Sequence, residues 1–453
     1  MNKKTKFRLS TTWLILLSFL GVVLAGTLLL SMPFSSATGE SVGFVDALFT
    51  ATTATCVTGL VTVPTVSAWS SFGHVVILLL IQTGGLGVIT VISAFMYNAA
   101  RKPGISGNML LQDAFNLNTL SGLSDFVKRV VKGTLLVELI GALGYMTVFV
   151  PDFGLKGIWI SVFTSVSAFC NAGIDIIAED SLCSYGFNPV INAVTCLLVI
   201  LGGIGYIVWW DVIRVIKLYG KQGIKCLRRL TLHSKIAITA SLVFVVAGAA
   251  LIFTSEYSNP LTVGDRSFFD KLQFSLFQSV TTRTAGFATV PQENLSESTA
   301  FICMLLMFAG GSPVGTAGGM KTVTVAVLIA AAYSAIKGKS RVNLFSRSIT
   351  SEAVSKALAV FCTSMTVAVF STVLLSLVCD RSLTDILYET VSATATVGLT
   401  RGLTPSLNVL GKLIITVTMY LGRVGPISLA LAFNLKTVNR NAVKNPYEEI
   451  SVG

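Results

Sequence analysis

The sequence has 453 residues, enough for two or three soluble domains, but its composition excludes that organisation. Residues of the AVILMFWYC set make up 53%, charged residues make up 12%, and the mean hydropathy is +0.77. Soluble domains carry about 25% charged residues, so this chain lacks the polar surface of a water-exposed fold. We therefore expect an all-α protein that crosses a lipid bilayer several times. Membrane residence also argues against nucleic acid as a partner, despite a net charge of +12.

The distribution of basic residues predicts the orientation in the membrane. Five basic clusters separate the apolar segments and hold most of the 33 lysines and arginines. The positive-inside rule places these clusters, and both termini with them, in the cytoplasm. The intervening segments are relatively acidic, which concentrates cations at the outer face, although topology alone also explains this bias. The clusters lie within 3–8, 101–132, 214–235, 337–356 and 436–444.

The apolar segments recur in one order between successive basic clusters. A long apolar run is followed by a short segment rich in serine and threonine, and then by a second long run. Each long run can span a core of about 30 Å, whereas a segment of about a dozen residues is too short to cross as a helix. A short helix that enters and leaves on one side is the remaining arrangement, and it must line a cavity or be buried in protein. The first runs are 12–32, 133–150, 236–254 and 357–378, the short segments are 44–55, 158–169, 268–281 and 383–394, and the second runs are 73–96, 191–215, 299–335 and 410–435.

A glycine stands in register at the end of each short segment. Gly59, Gly173, Gly286 and Gly398 are spaced by 114, 113 and 112 residues, and each precedes a large apolar residue. Four such glycines in the same hydropathy context indicate internal repetition. We therefore predict four tandem helix–pore loop–helix repeats around a central pore. The predicted repeats are 9–98, 126–218, 233–336 and 353–436, followed by a cytoplasmic tail at 437–453.

A second set of glycines lies in the second long runs. In the first two repeats these glycines fall at 84–87 and 202–205, where close helix packing through small residues is an equally good explanation. In the third repeat, 310–321 reads GGSPVGTAGGMK, with five glycines and a proline. No straight membrane helix accommodates that sequence. We therefore expect a broken helix whose irregular middle lines a pathway.

Four glycine-ended loops around one axis can select a cation through the backbone alone. A glycine permits backbone angles closed to other residues, so carbonyl oxygens can replace the water shell of an ion. The C-terminal dipole of each short helix also favours a cation. Tight turns at the loop tips are the alternative explanation for the glycines. A positive charge inside a cation filter would block it. Arg283, the one charge in the aligned loop windows, should therefore point away from the pore and pair with an acid or with loop carbonyls.

Taken together, these motifs resemble the Trk/Ktr/HKT superfamily of potassium transporters over nearly the whole chain. The lack of extra leading helices and the short tail favour its Ktr-type membrane subunits over the Trk type. The resemblance implies potassium uptake across a bacterial plasma membrane through a selectivity filter, with K⁺ as the transported ion and no covalent cofactor. The implied filter residues are Val57, Thr58, Gly59, Asn171, Ala172, Gly173, Thr284, Ala285, Gly286, Thr396, Val397 and Gly398.

The resemblance also implies a gate and protein partners. The intramembrane gate loop of the family corresponds to 310–321, and its arginine below the filter corresponds to Arg423, for which a packing salt bridge is the alternative role. The implied partners are a second copy of this chain, giving a homodimer, and a cytosolic ring of nucleotide-binding regulatory subunits. The nucleotide is expected on that ring, because this chain has no βαβ pattern. The implied gate residues are Gly310, Gly311, Gly315, Gly318, Gly319, Lys321 and Arg423.

Two other classes of function compete with this interpretation. A Na⁺- or H⁺-coupled solute or cation carrier would also contain internal repeats, but in-register pore-loop glycines are not the usual pattern of carriers. An intramembrane enzyme would need converging nucleophile, base or metal-binding residues, and the sequence shows none, so we predict that the chain is not an enzyme. Glu138, in the run 133–150, is expected near a partner or a cavity and receives no role.

Overall fold

The computed structural model describes residues 11–88, 90–91 and 123–425 of the chain, and the fold is helical almost throughout. The predicted tail at 437–453 and the basic residues at 3–8, 101–102 and 436–444 lie outside the described residues. The helices are α1 (Thr11–Leu30), α2 (Phe44–Cys56), α3 (Thr65–Ala68), α4 (Ser71–Leu86), α5 (Leu123–Phe153), α6 (Lys156–Cys170), α7 (Pro189–Gly203), α8 (Tyr206–Tyr219), α9 (Leu232–Glu256), α10 (Phe268–Thr281), α11 (Glu297–Phe308), α12 (Thr322–Ile336), α13 (Ser351–Ser376), α14 (Leu383–Ala395) and α15 (Val409–Val424).

Four of these helices in the described part of the chain, α1, α5, α9 and α13, are long and apolar enough to cross a membrane as single helices. Each presents exposed apolar side chains along one face, such as Leu136 and Leu139 on α5 and Leu242 and Val246 on α9. An apolar face of that extent is stable in lipid rather than in water. The prediction of an all-α polytopic membrane protein is therefore confirmed.

The four short helices form where the serine- and threonine-rich segments predict them. Helices α2, α6, α10 and α14 match the predicted bounds to within two residues. Ser267 and Ser382 cap α10 and α14, because each side-chain oxygen accepts a hydrogen bond from the backbone N–H three residues later. Each short helix packs against the long helix that precedes it. The short helices are thus held inside a ring of longer ones.

The second long runs are broken more often than the sequence suggests. The run 191–215 is wrong as a single helix, because α7 and α8 are bent by 95° around Gly205, whose φ is 93°. Helices α4 and α15 likewise end just before Gly87 (φ 85°) and Gly425 (φ 90°). A glycine with positive φ cannot continue an α-helix, so each helix ends at its glycine although the apolar sequence runs on. The predicted break in the third run is observed, with α11 and α12 flanking a non-helical segment.

The first long run of the second unit is longer than predicted. Helix α5 has 31 residues and begins ten residues before the predicted run 133–150. The added turns carry Lys128, Arg129 and Lys132, which the hydropathy pattern excludes from the run. Lysine and arginine are good helix formers, and their long side chains reach the membrane surface from a helix end.

The order of packing closes the helices into a ring. Helix α4 packs on α6, α7 packs on α10, α11 packs on α14, and α15 packs on α2. The second helix of each unit therefore contacts the short helix of the next, and the last unit contacts the first. Between α12 and α13 the chain forms a small hairpin of β1 (Asn343–Leu344) and β2 (Arg347–Ser348).

Candidate functional site

The four register glycines meet at one point inside the ring of helices. A Cβ atom at Gly59 would lie 2.6 Å from the carbonyl oxygen of Ala172, and one at Gly173 would lie 2.5 Å from that of Ala285. Each glycine thus faces the carbonyl of the residue that precedes the glycine of the next loop, and the fourth loop returns to the first. Any side chain at these positions would collide with backbone. The four pairs are Gly59 with Ala172, Gly173 with Ala285, Gly286 with Val397 and Gly398 with Thr58.

All four loops share an unusual backbone conformation. The residue two positions before each glycine is left-handed, with φ of 55° at Val57, 60° at Asn171, 68° at Thr284 and 51° at Thr396. The glycines also have positive φ, between 62° and 104°, and the residue between has negative φ. Left-handed valine and threonine are strained, and such strain persists where surrounding structure enforces it. Left-handed residues at alternate positions turn successive carbonyl groups toward the same side of the chain.

A cavity of about 290 Å³ opens on one side of the glycines. All four glycines line it, together with residues that follow them in each loop. Its acidic side chains are Asp175, Glu179, Asp180 and Glu293, which give the cavity a negative potential. Burial raises the pKa of Asp175 to about 6, although a hydrogen bond from Ser181 opposes that shift.

Hydroxyl side chains of the short helices hold three of the loops in place, and sequence analysis missed them. The Thr53 hydroxyl accepts a hydrogen bond from the Gly59 N–H at 3.0 Å, and the Ser392 hydroxyl does the same for Gly398. Ser167 accepts from the N–H of Ile174 at 3.1 Å. These three residues each lie six positions before the register glycine. A hydroxyl at that position in three of four aligned segments is the signal that could have identified them.

Buried polar side chains support the loops from behind. Glu389 on α14 is fully buried, and its carboxylate accepts hydrogen bonds from the hydroxyls of Thr400, at 2.6 Å, and Thr404. Behind the third loop, Gln278 donates to Gln292 at 2.6 Å, and the Tyr388 hydroxyl also donates to Gln292. Because buried polar groups are costly when unpaired, these bonds favour one arrangement of the loops.

Residues 310–321 lie against the loops on the side opposite the cavity. Their backbone bonds to the bend between α7 and α8, where Ser312 N donates to the Gly203 carbonyl at 2.8 Å and Thr316 N donates to that of Gly202 at 3.2 Å. Gly310 lies beside Thr284 of the third loop, and Gly318 lies beside Thr396 of the fourth. Side chains at these glycines would collide with their neighbours. The segment therefore closes the ring on the side where each loop leaves its short helix, before the register glycine.

Three basic side chains surround this segment and bond to its backbone. Arg423 donates to the carbonyls of Thr316, at 2.6 Å, and Gly84, at 2.5 Å. The Lys321 ammonium donates to the carbonyl of Ala317 at 2.6 Å. Arg283 bonds to the Ser241 hydroxyl at 3.0 Å and to the Gly310 carbonyl at 3.5 Å. Its partners in the described part of the chain are thus a hydroxyl and a loop carbonyl, and no acid.

Comparisons with known proteins agree with this architecture. The TrkH family model, described as a cation transport protein, matches residues 2–443. The potassium/sodium uptake protein NtpJ of Enterococcus hirae is 38% identical over 459 residues, covering 100% of this chain and 99% of that protein. The Ktr system potassium uptake protein B of Bacillus subtilis is 37% identical, covering 96% and 95%. The crystal structure of the potassium transporter TrkH from Vibrio parahaemolyticus matches with a TM-score of 0.74 at 16% identity, covering 97% of this chain and 88% of that one.

The helical ring, its candidate spans and the structural match define a multi-pass helical membrane protein. The matched family model covers nearly the whole chain, and two relatives exceed 30% identity over almost their full length. The chain belongs to the TrkH family of cation transport proteins. It is therefore a cation transporter and not an enzyme, and the resemblance drawn from the sequence is confirmed.

Proposed function

We propose that this chain takes up potassium across a bacterial plasma membrane through a filter formed by its four glycine loops. The observation that carries the proposal is the closed ring in which each register glycine faces the carbonyl oxygen before the next glycine. Four loops from one chain supply backbone oxygens around one axis, which is the arrangement that replaces the hydration shell of K⁺. The names of two relatives, a potassium/sodium uptake protein of Enterococcus hirae and a potassium uptake protein of Bacillus subtilis, support potassium as a transported ion.

The orientation follows from charge. The cavity with Asp175, Glu179, Asp180 and Glu293 would face outward and attract cations to the filter. The basic clusters and both termini would then lie in the cytoplasm. The four repeats would follow the boundaries 9–98, 126–218, 233–336 and 353–436, because a long helix, a short helix and a further helix recur four times in that order in the described part of the chain.

The segment 310–321 would act as the gate. It contacts the ends of three loops, and the glycines at 310, 311, 315, 318 and 319 make it poor in side chains with which to fill a pore. It would obstruct the path with backbone, and the charges of Lys321 and Arg423 would repel K⁺ from that path. Movement of the segment would open the path.

The proposed partners are a second copy of this chain and a cytosolic nucleotide-binding ring. The hairpin between α12 and α13 offers a surface for that ring, because Phe345 at its tip is half exposed and Arg341 and Arg347 stand beside it. A force on this hairpin would reach the gate through α12, which begins at Thr322, directly after the gate segment.

The proposal is tested by Rb⁺ flux into liposomes that contain the full-length chain, with competing Na⁺ and Cs⁺. Gly286→Ser should reduce the preference for Rb⁺ over Na⁺, because its Cβ would collide with the Val397 carbonyl. Gly154→Ser is the matched control, since Gly154 also has positive φ (61°) but nothing within 4 Å of its Cβ position. An unchanged Rb⁺/Na⁺ preference in a folded Gly286→Ser protein would contradict the filter assignment.

A further inference from the structure

One side chain of the gate segment reaches into a filter loop. The Thr316 hydroxyl lies 3.0 Å from the Phe169 carbonyl oxygen and 3.0 Å from Asn171 Oδ1. Phe169 belongs to the last turn of α6, and Asn171 is the left-handed residue of the second loop. All three residues are buried. The gate segment and the second loop are therefore joined by side-chain as well as backbone packing.

This contact is specific to the second loop. At the equivalent positions the first loop has Val57, which has no side-chain hydrogen-bonding group, and the third and fourth loops have Thr284 and Thr396. The hydroxyls of those two threonines are buried without a hydrogen-bond partner in the described part of the chain. Of the four left-handed positions, Asn171 is thus the one whose side chain is hydrogen-bonded to the gate segment.

The donors and acceptors of Thr316 and Asn171 favour a stable hydrogen bond between the two side chains. A hydroxyl has one proton, so Thr316 donates to one of the two oxygens at a time. When it donates to the Phe169 carbonyl, its lone pairs can accept from an amide. The Asn171 amide nitrogen is buried and has no other partner in the described residues, and a half-turn of the amide would bring it to Thr316. Asparagine also tolerates the left-handed conformation better than most residues.

The backbone of Thr316 is fixed from two further directions. Its carbonyl accepts from Arg423 at 2.6 Å, and its N–H donates to the Gly202 carbonyl at 3.2 Å. Asn171 in turn precedes Ala172, whose carbonyl oxygen lies beside Gly59 in the ring. A change at Thr316 therefore reaches the Ala172 carbonyl of the ring through two consecutive residues, Asn171 and Ala172.

We infer that Thr316 is a positioning residue for ion selectivity: its hydroxyl orients the second filter loop through Asn171. The inference rests on the proposed filter and gate. It states in addition that the gate segment sets the discrimination of the filter as well as the rate of passage. When the segment moves and carries Thr316 away, the second loop loses its hydrogen bond and the Ala172 carbonyl is free to rotate.

The test compares Thr316→Val, which keeps the shape and removes the hydroxyl, with Thr316→Ser, which keeps the hydroxyl. Ser312→Ala is the matched control, because the Ser312 hydroxyl bonds to Thr322, the first residue of α12, at 3.0 Å, and no hydrogen bond joins this hydroxyl to a glycine loop in the described part of the chain. Full-length proteins in liposomes are assayed for Rb⁺ flux against increasing Na⁺. We expect Thr316→Val to lower the Rb⁺/Na⁺ preference about threefold, as for one lost neutral hydrogen bond. Thr316→Ser and Ser312→Ala should keep the wild-type preference.

Asn171→Gly approaches the same contact from the other side, since glycine accepts the left-handed backbone without strain. It should lower the preference to a similar extent, and the double variant should be no worse than either single variant. A wild-type preference in folded Thr316→Val and Asn171→Gly would overturn the inference. If Gly286→Ser still changed the preference, the proposed filter would stand without this coupling; if it did not, both would fall.

Discussion

Arg423 on the last described helix and Thr316 in the gate segment are joined by a hydrogen bond of 2.6 Å between a guanidinium nitrogen and a backbone carbonyl oxygen. The second guanidinium nitrogen bonds to the Gly84 carbonyl at the end of α4. One side chain therefore links the first, third and fourth units directly beneath the proposed filter. Arginine suits this position, because its planar fork presents donors in two directions, whereas lysine is a single point charge.

The first prediction separates the bridging role of Arg423 from its charge. Arg423→Lys keeps the charge but loses the planar fork whose two nitrogens reach the two carbonyls, and Arg423→Gln removes the charge as well. We expect Arg423→Lys to raise basal Rb⁺ flux about tenfold, which corresponds to one lost charge-assisted hydrogen bond. Arg423→Gln should raise flux further, because the electrostatic barrier is lost too. Arg129→Lys, on the exposed face of α5, serves as the control. Wild-type flux in Arg423→Lys would leave the residue only an electrostatic role.

The sequence was sufficient to locate the short helices and the glycine loops, because both depend on local features. A segment such as 383–394 is too short to span, is rich in hydroxyls, and is followed by a glycine, Gly398, that recurs in register; Leu383–Ala395 is the helix observed. The gate segment was equally visible, because five glycines and a proline exclude a helix by local chemistry alone.

The bend at Gly205 and the bracing contacts were not predictable in the same way. Gly202 and Gly203 suit helix packing as well as a break, and only the approach of the gate backbone, with Ser312 N bonding to Gly203 O, decides between them. The supporting role of Glu389 was equally hard to predict, because its carboxylate is hydrogen-bonded by Thr400 and Thr404. These two residues follow Gly398 and fold back onto α14. Such contacts are tertiary and leave no periodic trace in the sequence.

The second prediction concerns the length of the gate segment. Ser312 and Thr322 lie side by side, with their hydroxyls 3.0 Å apart, so replacement of residues 313–320 by two glycines can leave α11 and α12 in place. We expect Rb⁺ flux to rise and to lose any dependence on the nucleotide state of the proposed cytosolic ring. The measurement is flux with and without the ring, beside a thermal unfolding curve. Unchanged flux in a folded variant would reduce the segment to a structural break.

The third prediction is a pH dependence of cation capture. With a pKa of about 6 caused by burial, Asp175 is charged at pH 7.5 and largely protonated at pH 5. Loss of this charge reduces the attraction for a cation in the cavity beside the register glycines, which Glu179, Asp180 and Glu293 also line. We expect the apparent KM for Rb⁺ to rise about fivefold as pH falls through 6, since one unit charge at ~4 Å in water contributes ~1 kcal/mol.

Two variants identify the group responsible for that pH dependence. Asp175→Asn should have the raised KM at every pH and lose the transition near pH 6. Glu179→Gln removes a less buried charge from the same cavity and should keep the transition. A transition that survives in Asp175→Asn would assign the titration to another residue.

The fourth prediction addresses the alternative of an ion-coupled carrier through Glu138. This carboxylate is buried within membrane-spanning α5. It accepts hydrogen bonds from Gln82 Nε2 at 3.3 Å and from the Cys170 thiol at 3.8 Å. Cys170 is the last residue of α6, so Glu138 supports the second filter loop from behind. A coupled carrier needs an ionisable group on its path, whereas a support needs only the right shape and hydrogen bonds.

Glutamine at position 138 distinguishes these two roles, because it retains the shape and an acceptor oxygen but cannot ionise. We expect Glu138→Gln to transport Rb⁺ at the wild-type rate with unchanged dependence on pH and on a proton gradient. Glu138→Leu should unfold at a lower temperature, since the half-buried Gln82 amide and the buried Cys170 thiol would lose their acceptor, and such a loss costs about 1–3 kcal/mol for a buried group. The measurements are flux with and without an imposed proton gradient, and thermal unfolding of both variants. If Glu138→Gln abolished gradient-driven uptake but retained exchange of Rb⁺ at equilibrium, Glu138 would be a coupling residue and the protein would be an ion-coupled carrier.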